Sequence, residues 1–425
     1  MLTPRTPISV AEAVQKVMEH VPAGKTEVVA LQEARGRYLA EKLVADHPIP
    51  MFDRSMYDGF AIRAEDTRRN GSNDTTVLKV IEAVPAGYEA QQTLARGQAV
   101  RIMTGAAIPL GADAVVMLED VEELKQNGAD YIRLDKPVQA GQYISKQGED
   151  TPEGTVLAEK GRRIGAGEQA MLATFGYARV RVYRKPVVGI FATGSELLPV
   201  DAPLQPGKIR NSNSYMLESQ IEQLGAVPRY YGILKDDFDL CYGSVLQALE
   251  EVDYLITTGG ASVGDYDFVQ KLLDELGMQV LFNKVAMRPG SVTTVAHKDG
   301  KWIFGLSGNP AACFIGFEFF ARPVLQSALG ADYHLPRTKA ILAHDIPTSN
   351  RFTRFMRAKL SIRGSQVVAS TVGLDKSGVV SALIQANGLL VVPGGDQGFS
   401  KGTEMDVIWL DKWIQQSILP ANVER

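Results

Sequence analysis

Val10, Val14, Val17, Met18 and Val21 recur at helical spacing behind the capping box Ser9-Val10-Ala11-Glu12, so the chain opens with an amphipathic helix. A second helix is expected near Leu31 to Leu43. Between Asp46 and Ile144 the pattern changes to short apolar runs, such as Thr76-Val77-Leu78-Lys79-Val80 and Asp113-Ala114-Val115-Val116-Met117, broken by glycine, proline and charge. That texture predicts a β-rich lobe. Helical texture returns between Gly165 and Phe175 through Ala170, Met171 and Leu172, which makes the lobe (46–144) an insertion in a discontinuous N-terminal helical domain, 1–45 plus 145–184.

From Lys185 strands and helices alternate. Val187-Val188-Gly189-Ile190-Phe191 precedes a helix face of Leu217, Ile221 and Leu224 closed by Gly225. A segment at Arg229 to Leu234, a helix with Val245 and Leu249, the strand at Tyr254, and a helix with Phe268, Leu272 and Leu276 closed by Gly277 follow. Repeated βα units with glycine stops predict a mostly parallel, three-layer α/β domain over 185–330, and such sheets bind ligands beyond the carboxyl ends of their strands. After Leu329 short strands and turns such as Pro393-Gly394-Gly395-Asp396 predict a C-terminal β-barrel-like domain, 331–425.

Composition narrows the class. The 425 residues are 45% apolar and 22% charged, with a net charge of -4. Bulk electrostatics therefore argues against a nucleic-acid partner, and any anion site must be local. No apolar run reaches the ~18 residues of a membrane span, and Met1 to Val10 lacks a signal-peptide core, so a cytoplasmic protein without a membrane partner is expected. The two cysteines, Cys241 and Cys313, read as core residues, and the five histidines show no zinc-ligand spacing.

The candidate chemistry sits at strand ends. After Tyr254-Leu255-Ile256 comes Thr257-Thr258-Gly259-Gly260-Ala261-Ser262-Val263-Gly264-Asp265-Tyr266-Asp267, a glycine loop opening into a helix, where bare N–H groups suit an anion. Its twin is Trp302-Ile303-Phe304-Gly305-Leu306 running into Ser307-Gly308-Asn309-Pro310, with Asn309 placed to cap a helix and Pro310 in its first turn. Thr193-Gly194-Ser195-Glu196 and Lys235-Asp236-Asp237 end two further strands. Each carboxylate alone equally suits a cap or a solvated turn. Several around one anion loop call for a divalent cation, and Mg²⁺ bridging phosphate oxygens fits. Lys284 and Arg288, both just ahead of the Pro289-Gly290 turn, are cations suited to an oxyanion or to plain solvent. Neither a P-loop nor a GxGxxG after a strand occurs, which removes Walker-type and dinucleotide readings.

Asp53-Arg54-Ser55-Met56-Tyr57-Asp58-Gly59, Met103-Thr104-Gly105-Ala106, Thr193-Gly194-Ser195-Glu196-Leu197, the glycine loop from Gly259 and Gly308-Asn309-Pro310, in this order, resemble the molybdopterin molybdenumtransferase (MoeA) family across nearly the whole chain. The resemblance implies an elongated homodimer of four-domain subunits, its site shared between one subunit's α/β domain and the other's β-lobe. It implies a Mg²⁺-dependent enzyme that joins molybdate to adenylylated molybdopterin and releases AMP, supplied by a molybdopterin adenylyltransferase as partner. Carried over by position, Asp58, Thr104, Asp150, Glu196, Asp236, Asp267, Lys284 and Arg288 take catalytic roles. Gly259, Gly260, Ser262, Gly264, Ser307, Gly308, Asn309, Pro310 and Ser377 bind the organic ligand, and Glu196 with Asp236 hold the metal. The chain departs from the family at Ser145, Arg288, Ser291, Ser307 and Ala312. Two other readings compete: a molybdopterin-binding scaffold, as in the related domain of gephyrin, and an adenylyltransferase-like protein, whose usual Thr-Gly-Gly-Thr-Gly differs from the loop here.

Overall fold

The computed structural model describes residues 6–68, 75–234, 238–259, 268–333, 335–347 and 350–410. They form two compact units: residues 42–159 with 167–178, and the remainder.

The first unit is built on a six-stranded sheet in which Gly59–Ile62 lies between Gln98–Ile102 and Ala114–Met117. Alternate residues of these strands fill two small cores. Phe60, Ile62, Ala99 and Val116 belong to one, and Ala61, Val100, Ile102 and Val115 to the other. The β-rich texture of the sequence is thus realised. Asn127 and Gly128 both take positive φ, 49° and 77°, and turn Glu122–Gln126 back onto Ala129–Leu134, the Asn-Gly hairpin chemistry.

The flanks of this lobe are less helical than expected. Val10–Met18 is a helix, with Ser9 Oγ accepting from the Glu12 N–H at 3.1 Å, and Ala166–Thr174 is another. The helix expected at 31–43 is a single 3₁₀ turn, Leu31–Ala34. Gly36, at φ 74°, ends it, and the chain continues into the strand Leu43–Val44. Thr26–Ala30 pairs antiparallel with Arg179–Tyr183, in which exposed Arg179 and Arg181 alternate with buried Val180 and Val182. Period-two burial selects strand here.

In the second unit Val227–Leu234, Val187–Thr193, Tyr254–Thr258 and Lys301–Leu306 run parallel in that spatial order. Thr294–Lys298 and Gln279–Phe282 extend the sheet through antiparallel pairings, so the parallel sheet is mixed at this edge, where Thr294–Lys298 alone runs against the other strands. The cause is local: Asp299 and Gly300 take φ 50° and 78° and make a tight hairpin instead of a crossover helix. Strand residues Val188, Ile190, Ile256, Trp302 and Phe304 pack with Leu217, Ile221 and Phe317, whereas Phe191, Leu255 and Ile303 pack with Val245, Val269 and Leu272. Gly225, at φ 91°, caps Asn213–Leu224 as the sequence predicts. Both cysteines are buried and neither is in a disulfide, and burial pushes the Cys313 thiol up to about 12. The helical run from Pro310 contains a π-helical turn, Phe317–Ala321, whose buried Glu318 pairs with Arg322 at 2.7 Å and accepts from Gln220 at 2.7 Å.

The C-terminal strands close on themselves. Thr353–Arg363 pairs with both Gln366–Thr371 and Gly388–Val392, and Arg337–Leu342 and Glu404–Trp409 complete the ring, giving the expected barrel-like domain. A sixth strand, Met287–Arg288, joins the barrel from the α/β region and sets Arg288 opposite Arg354. Among the described residues no helix is long and apolar enough to cross a membrane.

Trp302 is fully buried, stacked at 5.2 Å on His297 and 6.0 Å on Phe304. Trp302→Ala should lower the unfolding free energy in urea by about 3–5 kcal/mol. A loss below about 1 kcal/mol would show that this face of the sheet is not the principal core.

Candidate active site

Three parallel strands end side by side, because Ala192 is in register with Thr258 and Thr258 with Leu306. Their ends are stitched together. Gly259 N–H donates to Leu306 O at 3.0 Å, Thr193 Oγ1 to Thr258 O at 3.3 Å, and Thr258 Oγ1 to Ser307 O at 3.3 Å. Asn213 Nδ2, at the start of the following helix, reaches Thr258 Oγ1 at 2.7 Å and Gly308 O at 2.9 Å. Gly259 has φ 96°, and a Cβ there would collide with the Thr193 carbonyl. A Cβ on Gly308 would lie 3.4 Å from Gly259 Cα. Glycine is required at Gly259 by conformation and by space.

Asn309 occupies the N-cap position, yet its side chain makes no capping bond; its own N–H donates to Ser307 Oγ at 3.2 Å. Pro310 opens the helix as predicted. Ser377 arrives from the barrel, its carbonyl accepting from Ala311 N–H at 3.0 Å. Arg288, Ser307, Asn309 and Ser377, all flagged in the sequence, line one cavity of about 680 Å³ together with Arg354 and Lys376. Lys284 is half-buried and its carbonyl accepts from Ile8 N–H at 3.2 Å. Glu196 is exposed, its carboxylate folded over Gly194, where an added Cβ would meet Oε2 at 2.5 Å. Asp236, Gly260, Ser262, Gly264 and Asp267 lie outside the described residues.

The other unit supplies a second polar cluster. Asp58, in the turn before Gly59–Ile62, accepts from both the N–H and the Oγ1 of Thr104 at 2.7 Å. Those bonds, the main-chain one foremost, hold its carboxyl below the ordinary 3.8. Asp53, held low first by its hydrogen bond from Lys146 at 2.7 Å, ties down the strand leading to it. Asp150 is exposed, with its N–H donating to Ile49 O at 3.1 Å.

Sequence reasoning missed Asn213, Arg354 and Asp375. Asn213 stood in a visible polar run, Asn211-Ser212-Asn213-Ser214, at a helix start. Arg354 and Arg357 lie on the strand Thr353–Arg363, and barrel closure buries them to 7% and 2% exposure.

Comparison with known proteins gives the chain's family. Residues 8–176 match the MoeA N-terminal region (domain I and II), 189–327 a probable molybdopterin binding domain, and 339–410 the MoeA C-terminal region (domain IV). The fold and the strand-end site thus define a MoeA-type multidomain protein. The chain is 50% identical over 409 residues to the molybdopterin molybdenumtransferase of Bacillus subtilis (strain 168), covering 96% of this chain and 95% of that protein. It is 45% identical over 405 residues to that of Staphylococcus aureus (strain N315), covering 95% and 96%. The molybdopterin biosynthesis MoeA protein from Pyrococcus horikosii superimposes with a TM-score of 0.83 at 32% identity, covering 95% of this chain and 99% of that one. This chain belongs to the molybdopterin molybdenumtransferase family.

Thr104→Val removes one of the two bonds to Asp58 and keeps the main-chain one. The Asp58 carboxyl should then titrate nearer to, but still below, 3.8 when followed by ¹³C NMR. Because its folded value is depressed, Asp58 favours the folded state above about pH 4 and loses that contribution as pH falls through the folded value. Equal titration midpoints in the two proteins would rule out the hydroxyl's share.

Proposed function

We propose that this protein inserts molybdate into adenylylated molybdopterin, releasing AMP and yielding molybdenum cofactor. The observation that carries this reading is the cavity in which Arg288, Arg354 and Lys376 converge with Ser307 and Asn309. It lies in a chain half identical to a molybdopterin molybdenumtransferase over nearly its full length. Cations of this kind suit a tetrahedral dianion, and guanidinium groups bind such oxyanions in bidentate fashion. The strand-end glycines let ligand phosphates approach the backbone closely.

The chain's own groups divide the work. Arg288 holds the oxyanion, and Lys284 meets charge developing on the phosphate during cleavage of the phosphoanhydride. Asp58, kept ionised by Thr104, serves as a fixed charge and hydrogen-bond acceptor rather than a general acid. Fixing substrate against these groups converts an encounter into a positioned reaction.

Mg²⁺ belongs to this reading. Glu196 offers an exposed, hard oxygen donor at a strand end. Mg²⁺ binds through one or two carboxylates plus substrate phosphates, so Glu196 with Asp236 would suffice to hold it. Among the described residues no group of three or more His, Cys, Asp or Glu side chains is placed to cage a metal. When bound, the ion would neutralise charge on the phosphoanhydride. A homodimer whose β-lobes complete the sites, and an adenylyltransferase that hands over the substrate, complete the proposal on the family resemblance.

Purified protein given adenylylated molybdopterin, Mg²⁺ and either molybdate or tungstate should release AMP as metal enters the dithiolene. Absence of AMP from folded protein under all these conditions would refute the reading. Arg288→Gln should raise the molybdate concentration for half-maximal cofactor formation by roughly tenfold, the loss of a charge-assisted contact, and leave the organic ligand's affinity unchanged. The opposite pattern would move Arg288 into the phosphate site.

A further inference from the structure

Among the described residues Asp375 is the one carboxylate lining the cavity, which it shares with Arg288, Arg354 and Lys376. Its Oδ2 lies 3.2 Å from Arg354 Nη1, and its Oδ1 lies 4.0 Å from Arg357 Nη1. Arg357, almost wholly buried, grips the backbone on both sides of it, donating through Nη2 to Leu374 O at 2.6 Å and to Lys376 O at 3.2 Å. Burial lowers the Arg357 guanidinium from its ordinary value, and Asp375 opposes that shift. The same loop continues to Ser377, whose carbonyl is fixed to the helix start at Ala311.

From this network we propose that Asp375 is a positioning residue for the oxyanion, acting through Arg354 and through the loop that carries Lys376 and Ser377. The proposal rests on the transferase reading of the cavity. A carboxylate in an anion site costs affinity by charge alone. It is tolerated because a guanidinium presents its donors as a rigid fork, and a partner on one edge fixes where the fork points. The two ideas give opposite signs. If Asp375 were only a nearby negative charge, removing it would tighten anion binding; if it positions Arg354, removing it weakens binding despite the gain in positive charge.

Full-length wild type, Asp375→Ala and Asp375→Asn should be titrated calorimetrically with sodium molybdate and separately with inorganic phosphate. Asp375→Ala should bind the oxyanion roughly tenfold or more weakly. Asp375→Asn, which keeps an acceptor for Arg354, should lose less. In the AMP-release assay the molybdate requirement should rise while the rate at saturating molybdate and the affinity for the organic substrate hold, a split that general loosening of the fold would not give. Should Asp375→Ala fail to fold, Asp375→Asn decides alone: weaker binding supports positioning and tighter binding overturns it. Equal or tighter binding by folded Asp375→Ala overturns it as well. A wild type that binds phosphate but not molybdate, with phosphate weakened in Asp375→Ala, would uphold the positioning role while removing the transferase reading. A wild type that binds neither anion defeats the proposal even if AMP is released.

Discussion

The contact between Gly259 and the end of the neighbouring strand is the constraint on which the site depends. Three parallel strands finish at one level, and a left-handed glycine lets the middle one turn sharply enough to lie against Thr193 and Gly308. Hydrogen bonds from Gly259, Thr193, Thr258 and Asn213 then satisfy the carbonyls that the ending sheet leaves unpaired. Buried backbone groups need such partners. Without the close approach, Ser307 and Asn309 would not be held at the mouth of the cavity.

A second constraint fastens the barrel to this edge. Met287–Arg288 leaves the α/β region and becomes a strand of the barrel sheet, so Arg288 and Arg354 are register partners. Ser377 is bound back to Ala311 at the helix start. The cavity wall is therefore made by two cores that share a strand pair and a loop contact. Cations drawn from both line the same cavity.

The parts legible in the sequence were those with a strong period or a strong stop. Leu217, Ile221 and Leu224 ended by Gly225 gave a helix with the expected left-handed cap, and Thr193, Gly259 and Ser307 fell at strand ends where a βα pattern puts ligands. The misreadings also have physical causes. Gly36 in Arg35-Gly36-Arg37 was a visible breaker that outweighed the apolar spacing of 31–43. Asp299-Gly300 was a visible hairpin signal, and heeding it would have set Thr294–Lys298 antiparallel to Lys301–Leu306. Arg354 and Asp375 were not legible, since burial of an arginine on a strand depends on barrel closure, a long-range pairing that local pattern does not encode. The segments of Asp58 and Thr104 read by pattern as turns, and their roles came only through family resemblance; their bond joins residues 46 positions apart.

The central claim is that strand-end packing around Gly259 builds the anion site. Molybdate affinity of Gly259→Ala, compared with Gly207→Ala as a control, tests it most directly. Gly207 also has positive φ, 72°, but a Cβ there meets nothing within 4 Å, so it carries the conformational strain without the collision. The account predicts that Gly259→Ala binds molybdate at least about tenfold more weakly while Gly207→Ala binds like wild type. Wild-type affinity in folded Gly259→Ala, or an equal loss in both variants, would contradict it.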